Sequence, residues 1–190
     1  MSARLRRLAA DCERIKAEAA GHKFIRVEPL GIYPPERYLV TYNLKGLRWD
    51  AFQNRPVESR LHQVEIYLAA GYPREKPYCM IRTDIFHPNF RSRGEVCIGD
   101  HWAAGSSLWD VIVHIGEMIQ YRNYNVKSPL DARAAAWAGA YGHLLPVGKE
   151  DLYQAEPRVT GPALVIDSGE DPAVCKASHQ DEEKLEIELE

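Results

Sequence analysis

The stretch Phe86-His87-Pro88-Asn89-Phe90-Arg91-Ser92-Arg93-Gly94-Glu95-Val96-Cys97 decides how this chain is read. Pro88 fixes its own φ and keeps His87 out of the helical region, so His87-Pro88-Asn89 opens a turn. Cys97 follows eight residues after Asn89, with Gly94 three residues before it. From Gly94 to Gly105 the sequence has no apolar period and reads as loop, which places a thiol on an irregular segment. His101 and Asp100 come just after it. Their spacing does not arrange them as the base of a thiol protease, and they read as solvated loop groups.

Outward from this stretch the pattern is regular. On the N-terminal side, runs over 24–30, 37–44, 61–68 and 78–85 read as strands. In the third, Leu61, Gln63, Glu65 and Tyr67 oppose His62, Val64, Ile66 and Leu68, a period of two. The fourth lies between two proline-containing segments, Tyr72-Pro73-Arg74-Glu75-Lys76-Pro77 and His87-Pro88-Asn89. Before the strands, residues 3–20 read as an amphipathic helix with Leu5, Leu8, Ala9, Cys12, Ile15 and Ala19 on one face, stopped by Gly21. After the loop, Ser107-Leu108-Trp109-Asp110 has capping-box spacing and opens the strongest helix, with Leu108, Val111, Ile112, Ile115, Met118 and Ile119 on its apolar stripe. An alanine-rich helix over about 131–141 follows the turn-like Asn125-Val126-Lys127-Ser128-Pro129. The expected class is α+β: an N-terminal helix, a four-stranded antiparallel meander, a central crossover helix and a short C-terminal helix.

With 190 residues, 45% hydrophobic and 27% charged, the chain suits one folded domain, expected over 1–156. The net charge of −3 divides into −7 over residues 161–190 (nine acids, Lys176 and Lys184) and hence +4 elsewhere. Residues 157–190 read as an acidic, flexible tail, in which 185–189 alternates Leu, Glu, Ile, Glu, Leu. Nothing resembles a basic stripe with interleaved aromatics, a signal peptide or a membrane span, so neither nucleic acid nor membrane is an expected partner. Cys12, Cys79, Cys97 and Cys175 have no zinc-type spacing, and no metal or cofactor is expected. Cytoplasmic, reducing surroundings suit such scattered cysteines.

The segment from Phe86 to Cys97 resembles the active-site stretch of ubiquitin-conjugating (E2) enzymes, which place a His-Pro-Asn tripeptide before a catalytic cysteine at this interval. Tyr72-Pro73 with Pro77, the helix from Leu108, and Asn125 with Pro129-Leu130 resemble further landmarks of that family in the same order, over roughly residues 3–140. The short C-terminal half resembles prokaryotic members, some of which lie in phage-defence gene clusters. The resemblance implies the family fold and an enzyme that receives a ubiquitin-like protein from an activating enzyme as a thioester on Cys97 and transfers it to an amine of a target protein. A thiolate is the natural nucleophile for that exchange, and the thioester needs no cofactor to react with amines.

By the same resemblance Asn89 steadies the oxyanion formed on amine attack and helps order the loop, while His87 and Pro88 shape the turn. Arg4, Arg6 and Arg7 on the first helix are the expected docking face for the activating enzyme. On the acceptor side, Phe86 stands where the family commonly has tyrosine, and Ser128 where it often has aspartate. This loses a hydroxyl and a charge that would orient or deprotonate the incoming lysine. Trp102-Ala103-Ala104 replaces the usual ligase-facing sequence, which leaves dependence on a ligase open. Two other readings compete: a non-catalytic E2-variant-like module that only positions a ubiquitin-like protein, and a thiol hydrolase. The cysteine at the expected interval opposes the first, and the lack of a histidine partner in sequence opposes the second.

Overall fold

The computed structural model describes residues 2–153. The 157–190 segment, with Cys175 and the alternating stretch 185–189, and the expected boundary at 156 lie outside the described residues.

Helix α1 runs Ala3–Ala19, capped where Ser2 Oγ accepts the Leu5 N–H at 3.2 Å. Strands β1 (Ile25–Leu30), β2 (Arg37–Asp50), β3 (Arg55–Tyr67) and β4 (Tyr78–Ile81) follow in one sheet. Their spatial order is their chain order and every pair is antiparallel, a plain meander. Period-two burial gives the sheet its inner face: Tyr38, Val40, Tyr42 and Leu44 from β2, His62, Val64 and Ile66 from β3. Register pairs Val40 with Val64 and Ile66 with Cys79.

Strands β2 and β3 run well past their expected ends. After a register shift between Asn43 and Gly46, pairing resumes at Gly46–Ser59 and continues to Asp50–Arg55. The hairpin then turns on Asp50, whose Oδ1 accepts the Phe52 and Gln53 N–H groups at 3.0 Å each. The only apolar side chains of strand type in this extension are Leu47, Trp49 and Val57, too few to show its strand character in the sequence. The extension serves a second, smaller core formed by Leu47, Phe86, Tyr121 and Ala134 with Trp49 and Trp137 around it.

Helix α2 (Leu108–Ile119) lies on the sheet with Val111, Ile112, Ile115, Met118 and Ile119 buried. The expected capping box is formed in both directions: Ser107 Oγ accepts the Asp110 N–H and Asp110 Oδ2 accepts the Ser107 N–H. The Tyr42 hydroxyl donates to the Ile112 carbonyl at 2.9 Å, so a polar group inside the sheet–helix interface is satisfied. Gly116 marks the closest approach. A Cβ there would fall 2.5 Å from Leu152 Cδ1 and 3.3 Å from both Leu44 and Tyr42. Helix α3 (Ala132–Ala140), capped by Asp131, buries Ala134, Ala135 and Ala138, and a short 3-10 turn, Gly142–Leu144, follows. The result is the α+β arrangement expected from the sequence. No helix among the described residues is long and apolar enough to cross a membrane.

Helix α1 buries Leu8, Cys12 and Ile15 as its spacing predicts, and also Asp11. That carboxylate accepts from Arg7 Nε at 2.7 Å and from the Tyr72 hydroxyl, while the Arg7 guanidinium reaches on to the carbonyls of Ala104 and Ser106. One buried acid therefore ties α1 to the loop leading into α2. Asp11→Ala would remove the acceptor that Arg7 Nε and the Tyr72 hydroxyl share, and we expect it to lower the unfolding free energy by about 2 kcal/mol, measured by urea titration. An unchanged midpoint would refute the tie.

Candidate active site

The turn at 86–89 is fastened from all sides. The Phe86 N–H donates to the Leu47 carbonyl, and the Pro88 carbonyl accepts from the N–H groups of both Leu130 and Asp131. The Tyr121 hydroxyl donates to the Phe86 carbonyl, and Tyr121 holds a left-handed backbone (φ 57°) that a bulky residue adopts only under constraint. His87 is fully buried, with Phe90 and Tyr121 rings at 4.8 and 4.7 Å. Its Nδ1 accepts the Asn89 N–H at 3.1 Å, so the hydrogen-bond pattern assigns the single proton to Nε2. Burial pushes its pKa down to about 3, which the Met118 carbonyl only partly opposes. The ring is a neutral strut.

This turn places Cys97. The Cys97 N–H donates to the Asn89 carbonyl at 2.9 Å, and the preceding residues are stitched to the sheet edge through Val96 N–H to the Cys79 carbonyl and Ile81 N–H to the Gly94 carbonyl. Cys97 is partly exposed, whereas Cys12 and Cys79 are buried. Burial, slightly offset by Lys76, pushes the Cys79 thiol up to about 12. A thiol so disfavoured as thiolate is a core group, as its strand position predicts.

Asn89 is 5% exposed and its side chain forms a closed pair with one residue: Nδ2 donates to the Asn125 carbonyl at 2.9 Å and Oδ1 accepts the Asn125 N–H at 2.7 Å. One of the two Nδ2 protons is left over. The amide thus clips the 125–129 segment against the loop holding Cys97. Asn89, Cys97 and Ser128 line a single open cleft of about 570 Å³, together with His101, His114 and Asn125. On its other side Cys97 also borders a more apolar groove of about 560 Å³ with Tyr78, Met80, Val96 and Ile98. Phe86 lines neither of these. It is 1% exposed and packs against Trp49 and Trp137 at ring distances of 5.2 and 6.1 Å, a member of the second core.

The arginines of α1 are separated by their contacts. Arg4 hydrogen-bonds Glu36 and the carbonyls of Leu68 and Ala69, and Arg7 holds the Asp11 network, so both extend along the protein's own surface; Arg6 is exposed. Among the described residues no cluster of three or more His, Cys, Asp or Glu side chains could hold a metal ion. One feature of the cleft goes unread in the sequence, and another is read only in part. Asn125, a landmark of the family resemblance, acts here through its backbone, which no side-chain pattern signals. His114 sits inside the apolar run of α2, where its polarity between Val113 and Ile115 is the one available sign that this position faces outward.

Comparison with known proteins agrees with this geometry. A model of the ubiquitin-conjugating enzyme family matches residues 50–140, which include the His-Pro-Asn turn, Cys97 and α2. Ubiquitin-conjugating enzyme E2 13 of Saccharomyces cerevisiae is 28% identical over 76 residues, covering 38% of this chain and 50% of the yeast protein. Ubiquitin-conjugating enzyme E2 27 of Arabidopsis thaliana is 31% identical over 84 residues, covering 42% of this chain and 43% of the plant protein. The matches thus span half or less of these relatives. With the helix–meander–helix order, the fastened turn and the cysteine beside it all in place, the chain is similar to the ubiquitin-conjugating enzyme family over these residues.

Proposed function

We propose that this protein accepts a ubiquitin-like protein from an activating enzyme as a thioester on Cys97 and passes it to an amine of a target protein. The observation that carries the reading is the position of Cys97: the accessible thiol among the cysteines described, clipped by its own N–H to Asn89 at the edge of an open cleft. In charging, the Cys97 sulfur attacks the incoming thioester and expels the activating enzyme's thiol. In discharge an amine attacks the carbonyl, the C–N bond forms, the C–S bond breaks and Cys97 is released.

Asn89 serves twice in this scheme. Its closed pair with Asn125 orders the cleft wall, and its second Nδ2 proton is the donor for the developing oxyanion. His87 and Pro88 hold that amide in place, a positioning role consistent with a neutral, buried ring. Ser128 borders the acceptor approach, while Phe86 supports it from within the second core. Arg4, Arg6 and Arg7 of α1 are the residues we place at the activating-enzyme interface. The working partners are the ubiquitin-like protein, the activating enzyme and the target, in the cytoplasm, with no cofactor.

Incubation with an activating enzyme, ATP and the ubiquitin-like protein, followed by a non-reducing gel, should give a reductant-sensitive adduct on the wild type and on Cys79→Ala but none on Cys97→Ala. No wild-type adduct with an active activating enzyme would sink the reading. Asn89→Ala should charge normally and discharge to free lysine about 100-fold more slowly, the scale of losing one oxyanion donor. Hydrogen exchange at the Asn125 amide should accelerate in the same variant. Equal discharge rates would remove Asn89 from the chemistry and leave it only the clip.

A further inference from the structure

Two histidines outside the motif face the cleft at Cys97. His101, on the loop after the cysteine, and His114, on the outer side of α2, stack with ring centroids 3.9 Å apart and planes 17° from parallel. His114 stands on a rigid post, since its neighbours Val113 and Ile115 are buried against the sheet. His101 rides a loop held on its far side by Lys76 Nζ to the Gly99 carbonyl and Trp102 Nε1 to the Pro73 carbonyl. On the cleft side, the stack joins this loop to α2.

Two imidazolium rings at such a separation would repel, so the stack is stable only while at least one ring is neutral. Burial first, and the charge of His101 second, push the His114 pKa down to about 4. The other titratable groups facing the pair across the cleft are Cys97 and Asp100 from its own loop and Tyr124 from the segment after α2, with no Lys or Arg among the lining residues.

We propose that the His101–His114 stack is a positioning pair for discharge, holding the Cys97 loop and the tail of the carried protein in the amine-accepting arrangement only while the His114 ring is uncharged. The inference rests on the reading that Cys97 carries the thioester. A tail joined to Cys97 must leave along a surface bordering the cysteine, and the flat rings offer it apolar faces with polar edges. The pair takes no proton itself: the attacking nitrogen forms its bond to carbon, sulfur leaves as thiolate, and the nitrogen's proton passes to solvent. Acidification should separate the rings and slow the transfer. The sign follows from the lowered His114 pKa, because contacts needing the neutral ring are complete above the unfolded value near 6.5 and lost as pH falls toward 4.

The test uses ubiquitin loaded on Cys97 by transthiolation from its mercaptoethanesulfonate thioester, with aminoacetonitrile as a weakly basic acceptor, a fraction of which stays unprotonated in mild acid and is the same for every variant compared. His114→Ala and, as a second variant on the exposed loop, His101→Ala should load as the wild type does and discharge at least about 10-fold more slowly at pH 7.5. His114→Phe keeps a flat ring without titration; it should match the wild type at pH 7.5 and exceed it about two-fold at pH 4, where about half of the wild-type His114 rings are charged. Alanine variants discharging at the wild-type rate, or identical pH profiles for wild type and His114→Phe, would overturn the pair's role while leaving thioester carriage standing. Failure of the wild type to load would overturn both.

Discussion

The site depends on an imidazole buried without its second proton. A charged ring inside the core, with no carboxylate to meet it, would cost more than the turn could repay, so His87 is held neutral and its Nδ1 is free to accept from the Asn89 backbone. That bond sets the direction of the chain at Asn89. From there the Asn89 carbonyl receives the Cys97 N–H and the Asn89 amide grips Asn125, so one neutral ring orients both sides of the cleft. The supports behind it are equally specific. Pro88 lends a carbonyl to two amides at the start of α3, and Tyr121 accepts an unfavourable φ while its hydroxyl reaches the Phe86 carbonyl.

Much of this was legible in the sequence because it is local. The Ser107–Asp110 capping box, the alternation through Val64 and Ile66, and the interval from Asn89 to Cys97 are short-range patterns, and each is realised where the spacing put it. What stayed hidden depends on distant partners. Asp11 read as one more charge on a helix, and its burial depends on Tyr72, some sixty residues on, as well as on Arg7 one turn away. Arg7 looked like a surface cation until the carbonyls of Ala104 and Ser106 gave it somewhere to go. Residues 45–50 and 55–60 lack the apolar alternation of a half-buried strand, since their long hairpin is secured by each other and by the second core.

Phe86 illustrates how a motif position and a spatial position can part. Adjacent to His87 in sequence, it points the opposite way, into Trp49 and Trp137, with the Arg133 guanidinium over both its ring and that of Trp49. The loss of a hydroxyl relative to tyrosine therefore falls in an aromatic core rather than in the cleft. Other polar groups line the cleft wall itself, among them Ser128, Asn125 and the stacked histidines.

The seat of α2 includes an atom that is not there. Gly116 packs the helix against Tyr42, Leu44 and Leu152, and His114 lies two residues earlier on the same helix. A methyl group at 116 would act as a shim: the Leu152 side chain would have to turn aside, and Tyr42 and Leu44 would have to give by a few tenths of an ångström. The cleft wall that carries His114 thus rests on packing laid down beneath the helix, while the Cys97 loop is anchored separately to the sheet edge.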